Sequence, residues 1–230
     1  MNDLGPWFNL TKAHLSLHWQ KHLPPMLITL APALALGFLL VPVFLLGGVL
    51  SSVLGSLTHS GAVAGVVSLV VFGIGGLVFL AVIIATTFLF WGYLRVVLKL
   101  HRSEPTDRSD LLWGFRHPGL VIGVGLVQVA LSLPAVMLCY FPVFLVAAAL
   151  FFTRLVAVDR ELGPIDCAKA SWALVKPRFF EILVVMFILT FGMVFLAYIP
   201  LVGTFLGWMV YTSAMVVIYD DLVQREHFSV

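Results

Sequence analysis

Long apolar runs alternate with short polar segments along this chain, and the runs set the predicted elements. From Pro24 and Pro25 the sequence stays apolar to Leu50, enough as a helix to cross a hydrocarbon core of about 30 Å with some tilt. A turn rich in serine and glycine is expected over 51–60. The chain is then apolar from Ala62 to Leu94, roughly 50 Å as one helix. That run either projects past the bilayer or breaks at Gly73, Gly75 and Gly76. A third span is predicted from Pro118 to about Ser132, with Pro134 breaking the pattern. A fourth runs from about Tyr140 to Val158, and a fifth from Phe179 to Tyr198. After a turn at Pro200 the sixth runs from Leu201 to Tyr219.

Polar segments between the runs carry a second pattern. Trp19, Trp113 and Trp172 are each followed five residues later by a proline that opens an apolar run: Pro24, Pro118 and Pro177. A cation stands beside each proline or tryptophan (Lys21, Arg116, Lys176), and about ten amphipathic residues precede each copy. In the first, Phe8, Leu15, Trp19 and Leu23 fall on one helical stripe, with Lys12, His14, His18, Lys21 and His22 around it. In the second, Pro105 and Thr106 start a short helix with Asp107 and Asp110 in its first turn, where the helix dipole favours acids. In the third, Ile165, Ala168, Trp172 and Val175 oppose Asp166, Lys169 and Lys176. The chain therefore reads as one integral membrane domain over 1–230, with pseudo-repeats at about 9–94, 103–158 and 163–222. The predicted fold is all-α and polytopic: six transmembrane helices as three hairpins, each preceded by an amphipathic interfacial helix.

Composition makes the bilayer the solvent. Hydrophobic residues are 61% and charged residues 10%, against roughly a quarter charged in a soluble domain. All 13 Lys and Arg fall in the N-terminal segment, the 95–116 and 154–178 loops and the tail, and the three intervening turns have none. The positive-inside rule then places both termini in the cytoplasm of a cell whose plasma (inner) membrane holds the chain. The first apolar run is far longer than a signal-peptide core, so no cleaved leader is expected. A net charge of +2 with scattered cations gives no nucleic-acid tract. Cys139 and Cys167 are predicted on opposite faces and cannot pair within one chain.

Candidate chemistry is sparse. No ionisable residue is expected near the middle of a span, where coupled pumps carry theirs. Thr86, Thr87, Gln128, Ser132, Thr190, Thr204, Thr212 and Ser213 are the polar residues within the runs, read as interhelical hydrogen bonds or as the lining of a conduction path. His14, His18 and His22 share a helical face at i, i+4, i+8, a spacing for a solvated interfacial face, for pH sensing or for two imidazoles on a metal; no Cys or carboxylate beside them completes a site, so no metal and no cofactor is assigned. Gly61 and Gly65, Gly119 and Gly123, and Gly203 and Gly207 match the spacing that lets transmembrane backbones approach, within one bundle or between copies in a homo-oligomer. Asp159, Glu161, Asp166 and Glu181 offer two carboxylates to a hydrolase, yet the loop has no His, serine elbow or glycine-rich phosphate loop, and local ion pairs are the expected use. The tryptophan-to-proline copies anchor helices at the headgroup level. Their cations, Lys21, Arg116, Lys169 and Lys176, with Trp19, Trp113 and Trp172, are the expected contacts to membrane lipid or to a membrane-protein partner.

Three segments, VDRELGPIDCAKASWALVKPRFFEIL, GYLRVVLKLHRSEPTDRSDLLWGF and IYDDLVQRE, carry a family likeness. Through Asp159, Gly163, Pro164, Ala170, Ser171, Trp172, Tyr219, Asp221 and Leu222 the chain resembles uncharacterised bacterial six-helix membrane proteins, which include the membrane domain of some glycerophosphoryl diester phosphodiesterases. Pro177 stands where that family usually has glycine. In the fused members catalysis belongs to a separate soluble domain, so the resemblance implies a membrane module without a catalytic residue. The expected function is non-catalytic binding of lipid or a membrane partner through the inner-leaflet helices. The alternative is a channel or transporter for a lipid-like or small uncharged solute, with Gln128, Thr190 and Thr212 in its lining.

Overall fold

Apolar chain in a bilayer must satisfy its backbone internally, and the fold does so with helices alone. The computed structural model describes residues 4–58, 61–138, 140–199 and 202–228; side chains are described within these except at 4, 33–44, 58, 138, 140–141, 197, 202 and 226–228. Among the described residues there is no strand. The expectations at Cys139, at Pro200 and at the start of the sixth span, Leu201, lie outside them.

The helices are α1 (Leu4–Thr58), α2 (Gly61–His101), α3 (Arg108–Leu111), α4 (Trp113–Arg116), α5 (Pro118–Leu138), α6 (Tyr140–Ala149), α7 (Thr153–Arg160), α8 (Pro164–Val175), α9 (Phe179–Ala197) and α10 (Val202–Phe228), with a 3-10 turn, Lys176–Arg178, between α8 and α9. Among the described residues, five stretches are long and apolar enough to cross a membrane: Gly61–His101, Pro118–Met137, Pro142–Arg160, Pro164–Leu196 and Gly203–Arg225. A shorter apolar helical stretch is Leu45–Leu57.

Several expected boundaries shift. Neither Pro24–Pro25 nor the serines from Ser51 end α1, which runs on to Thr58, and the glycines at 73, 75 and 76 lie inside α2. Pro134 is likewise inside α5. Proline removes one backbone hydrogen bond, which a membrane helix tolerates where neighbouring groups re-satisfy the carbonyl. The second amphipathic segment is two separate turns, α3 and α4; Asp107 is the N-cap of α3 and forms a capping box with Asp110. The fourth run is two helices, broken at 150–152.

Two compact units divide the chain: Met1–Met26 with Phe90–Val230, and Leu27–Leu89. In the smaller, α1 and α2 run antiparallel, with the Ser51 and Ser68 hydroxyls 2.7 Å apart and the Ser51 hydroxyl 3.2 Å from the Ala64 carbonyl. In the larger, α9 packs on α10, and α5 packs on α6 and α8. Its buried core includes Trp91, Leu94, Val97, Phe152, Leu155, Val156, Ile182, Ile218 and Tyr219.

Candidate functional site

Within the larger unit, α2 with the turn that follows it, α7 and α10 each pass from groove residues to charged residues in the same direction. Leu94, Arg154 and Tyr211 belong to an apolar groove; Arg102, Asp159 and Asp220 belong to an ion-pair cluster. Arg102 is the hub of the cluster. Its guanidinium binds Asp159 through Nη1 and Nη2 and Asp220 through Nε at 2.9 Å. The Tyr219 hydroxyl donates to Asp159 Oδ2 at 2.8 Å, and the Gln224 amide donates to Asp220 Oδ2 at 2.9 Å. Asp159 and Asp220 would cost several kcal/mol each as isolated buried charges, and here both are shared with one arginine.

A second arm is built on Arg95, about two helical turns before Arg102. Glu161, in the left-handed conformation that closes α7, accepts from Arg95 Nη1 at 2.8 Å and from Trp113 Nε1 at 3.0 Å. These contacts, Arg95 first, hold its carboxyl below the usual range. Burial raises the Asp110 carboxyl, but the Asp107 N–H, Lys99 at 2.7 Å and Arg95 outweigh it and leave it below the usual range. The arm requires α3 to sit against α2 at Gly92, where any Cβ would overlap the Leu111 carbonyl. Trp7 Nε1 donates to Asp221 Oδ2 at 2.8 Å and ties α1 to the end of α10.

The histidines continue this network. His14 Nε2 is 3.0 Å from His22 Nε2, His14 Nδ1 is 3.3 Å from His101 Nδ1, and His101 Nε2 is 3.6 Å from Asp220 Oδ2. Three neutral imidazoles, with one N–H each, satisfy all these contacts when the donors run from His22 through His14 and His101 to the carboxylate. Burial, followed by the neighbouring imidazoles, lowers His14 to about 3 and His22 to about 4. No group of three or more His, Cys, Asp or Glu among the described residues is arranged to hold a metal ion.

The groove has a volume of about 680 Å³, within the size of ordinary single-ligand sites. Phe90, Leu94, Phe144, Phe151, Met186 and Trp208 dominate its walls, and Gln128, Ser132, Thr190 and Tyr211 add polar atoms. Arg154 is its one charged lining residue among the described residues. Side chains surround the guanidinium on most sides, yet it stays exposed along the open side. Its hydrogen-bond and ring contacts are Gln128 Oε1, 3.4 Å from both Nε and Nη2, and the Phe90 ring, 6.0 Å from Cζ, and Tyr211 interacts with it electrostatically. Among the described residues no carboxylate pairs with it.

Local folding explains where Arg154 points. The Ser171 hydroxyl on α8 donates to the Ala149 carbonyl at 3.0 Å and accepts from the Phe152 N–H at 3.2 Å. One fully buried side chain thus satisfies both edges of the α6–α7 break. The new helix that starts at Thr153 carries Arg154 into the groove and Asp159 into the cluster.

The expected lipid or partner residues are divided. Trp19 (48% exposed), Trp172 (44%), Lys21, Arg116, Lys169 and Lys176 lie on the surface. Lys169 is 3.6 Å from Asp166, and the Trp172 ring packs edge-on to Phe179. Trp113 is inside instead, 3% exposed, stacked on His117 and Trp91 with the Arg95 guanidinium 5.6 Å from its ring centre. Of the expected packing glycines, Gly123 meets Pro164, Gly203 meets Leu196 and Gly207 meets Met193, whereas Gly61, Gly65 and Gly119 have open space beside them. Thr212 is not in the groove; its hydroxyl donates to the Trp208 carbonyl at 2.7 Å and lies 3.3 Å from the Tyr93 hydroxyl.

Arg154 is the residue sequence reasoning missed, because it was counted as a loop cation. Its signal was available: it is the one charge in an apolar stretch from Tyr140 to Val158. Cys167 is a free, buried thiol whose S–H faces the Leu162 carbonyl at 3.3 Å. Comparison of the chain with protein-family models, with curated proteins and with solved structures gives no match.

Proposed function

We propose that this chain is a non-catalytic inner-membrane module that holds a membrane lipid in the groove of its larger unit. The carrying observation is the groove itself: apolar along its walls, open on one side, and of single-ligand size. Lipid tails are as apolar as the groove walls, so in a bilayer an acyl chain enters such a groove by exchange with its neighbours and is held by packing. The topology in this reading is six spans as three hairpins, each preceded by an interfacial helix, with both termini cytoplasmic. The second half of α1 supplies the first span; the Leu45–Leu57 stretch and the charge distribution support that assignment. Pairing of Asp159 and Glu161 with arginines supports the non-catalytic part, since neither carboxylate is left poised as an acid or base. Kinship with the membrane domain of the phosphodiesterases belongs to the same proposal.

Mass spectrometry of lipids that co-purify with the full-length protein tests it. Wild type should retain acyl lipid through delipidating washes, and Thr190→Trp or Ala147→Trp, which fill the groove from its walls, should retain measurably less. Equal retention by all three proteins would overturn the groove reading. Gln128 and Thr190 both line this groove, which favours passage of a lipid-like solute as the second reading; lipid flux in liposomes that the tryptophan variants abolish would select it.

A further inference from the structure

Resting on the groove reading, we infer that Arg154 is a headgroup site and that the occupant is an acyl lipid of the membrane bearing an oxyanion, the phosphate of an anionic phospholipid. A guanidinium has five N–H donors and remains charged at any physiological pH. Its one protein acceptor among the described residues, Gln128 Oε1, is at 3.4 Å, longer than the 2.7–3.2 Å of ordinary N–H···O bonds. The same chain pairs Arg95, Lys99 and Arg102 with carboxylates at hydrogen-bonding distance. Arg154, exposed like no paired cation among these, stands in the apolar stretch Pro142–Arg160, about 9 Å along the helix before Arg160, with no carboxylate partner among the described residues. A cation is costly there unless something neutralises it. Phosphate oxygens present two acceptors to the planar fork, and a lipid brings them already joined to a chain that the aromatic and methionine walls can cover. Gln128 holds the fork from one side, and the open side of the groove admits the headgroup. A zwitterionic lipid brings its own cation to the same place and gains less.

Native mass spectrometry of the full-length protein, delipidated and then offered equimolar pairs of lipids, tests the assignment. Phosphatidylglycerol should be retained about tenfold or more over phosphatidylcholine of the same chains, the size expected for a charge-assisted hydrogen bond. Arg154→Gln should keep binding lipid while losing that preference, and Arg154→Lys should keep part of it. Equal retention of both lipids by wild type, or a preference that survives in Arg154→Gln, overturns the headgroup site and leaves the groove reading standing. No lipid retained by any protein overturns both. A palmitate arm separates the sources of the oxyanion: palmitate outcompeting phosphatidylglycerol overturns the phospholipid assignment. Unfolding midpoints of each variant, measured alongside, show that a lost preference comes from folded protein.

Discussion

Arg102 and Arg154 are the same side chain put to opposite uses. Arg102 joins three helices by meeting Asp159 and Asp220, and a tyrosine and a glutamine complete the carboxylates' shells. Arg154 leaves α7, the helix that also carries Asp159, and meets one distant amide oxygen and an aromatic face. Where this fold uses charge to hold itself together, acceptors surround the donors. Where it leaves donors without acceptors, beside an apolar groove, the missing acceptor is expected from outside the chain. A buried ion pair is also more costly to break than it is to replace, so the two arginines should respond very differently to removal.

The largest expected effect is at the hub. Arg102→Met leaves Asp159 and Asp220 without their cation and should destabilise the protein by about 3–5 kcal/mol, read from chemical unfolding in detergent micelles. A loss under about 1 kcal/mol would mean that the cluster is solvated surface and that the contrast with Arg154 is empty.

Acid sharpens the same contrast from the histidine side. His14 faces His18 and His22 on its own helix and His101 on α2, behind which stand Asp220 and Arg102. The folded state keeps His14 and His22 neutral down to about 3 and 4, while the unfolded chain binds protons near 6.5. The histidine contribution to stability is therefore complete above pH 6.5 and is lost as pH falls toward 4. The slope is about 1.4 kcal/mol per pH unit for each histidine. His14→Gln should flatten the midpoint-against-pH curve between pH 6.5 and 4; an unchanged curve would remove the histidine chain from the account.

Gly92→Ala should cost about 1–3 kcal/mol by pushing α3 from α2 and disturbing the Lys99–Asp110 arm. Gly119→Ala meets open space and should be neutral or slightly stabilising. Thermal midpoints of the two proteins side by side settle whether the arm depends on that close approach. The smallest effect is expected at the groove: lipid-free Arg154→Gln should unfold within about 0.5 kcal/mol of wild type, since the side chain makes no carboxylate pair to lose.

What the sequence could reveal follows from the range of each interaction. Apolar runs are local, so the all-helical fold and the amphipathic helix carrying Ile165, Ala168, Trp172 and Val175 were legible, whereas the start expected at Pro105 and Thr106 falls at Arg108, with Asp107 as the N-cap. Helix breakers misled because a bilayer penalises an open backbone more than water does: Pro24, Pro25 and Pro134 are absorbed within α1 and α5. The backbone groups freed by the break at 150–152 are met by Ser171, about twenty residues downstream, a partner that no local signal shows. Arg102 and Asp159 are 57 residues apart, so their pairing was beyond spacing arguments. The carboxylates' role as ion-pair partners was foreseen, but which cations they meet was not. Arg154 was visible as a lone charge in an apolar stretch, yet only the groove around it distinguishes a ligand site from a cation reaching for the interface.

The most direct test is lipid-linked unfolding of the delipidated protein. Binding to the folded state raises the unfolding free energy by RT ln(1 + [L]/Kd), so a midpoint measured against added lipid reports the site. Phosphatidylglycerol should raise the wild-type midpoint in proportion to the logarithm of its concentration, phosphatidylcholine should raise it far less, and Arg154→Gln should respond to both alike. Equal responses of wild type to the two lipids, or the same phosphatidylglycerol response in Arg154→Gln, would contradict the account.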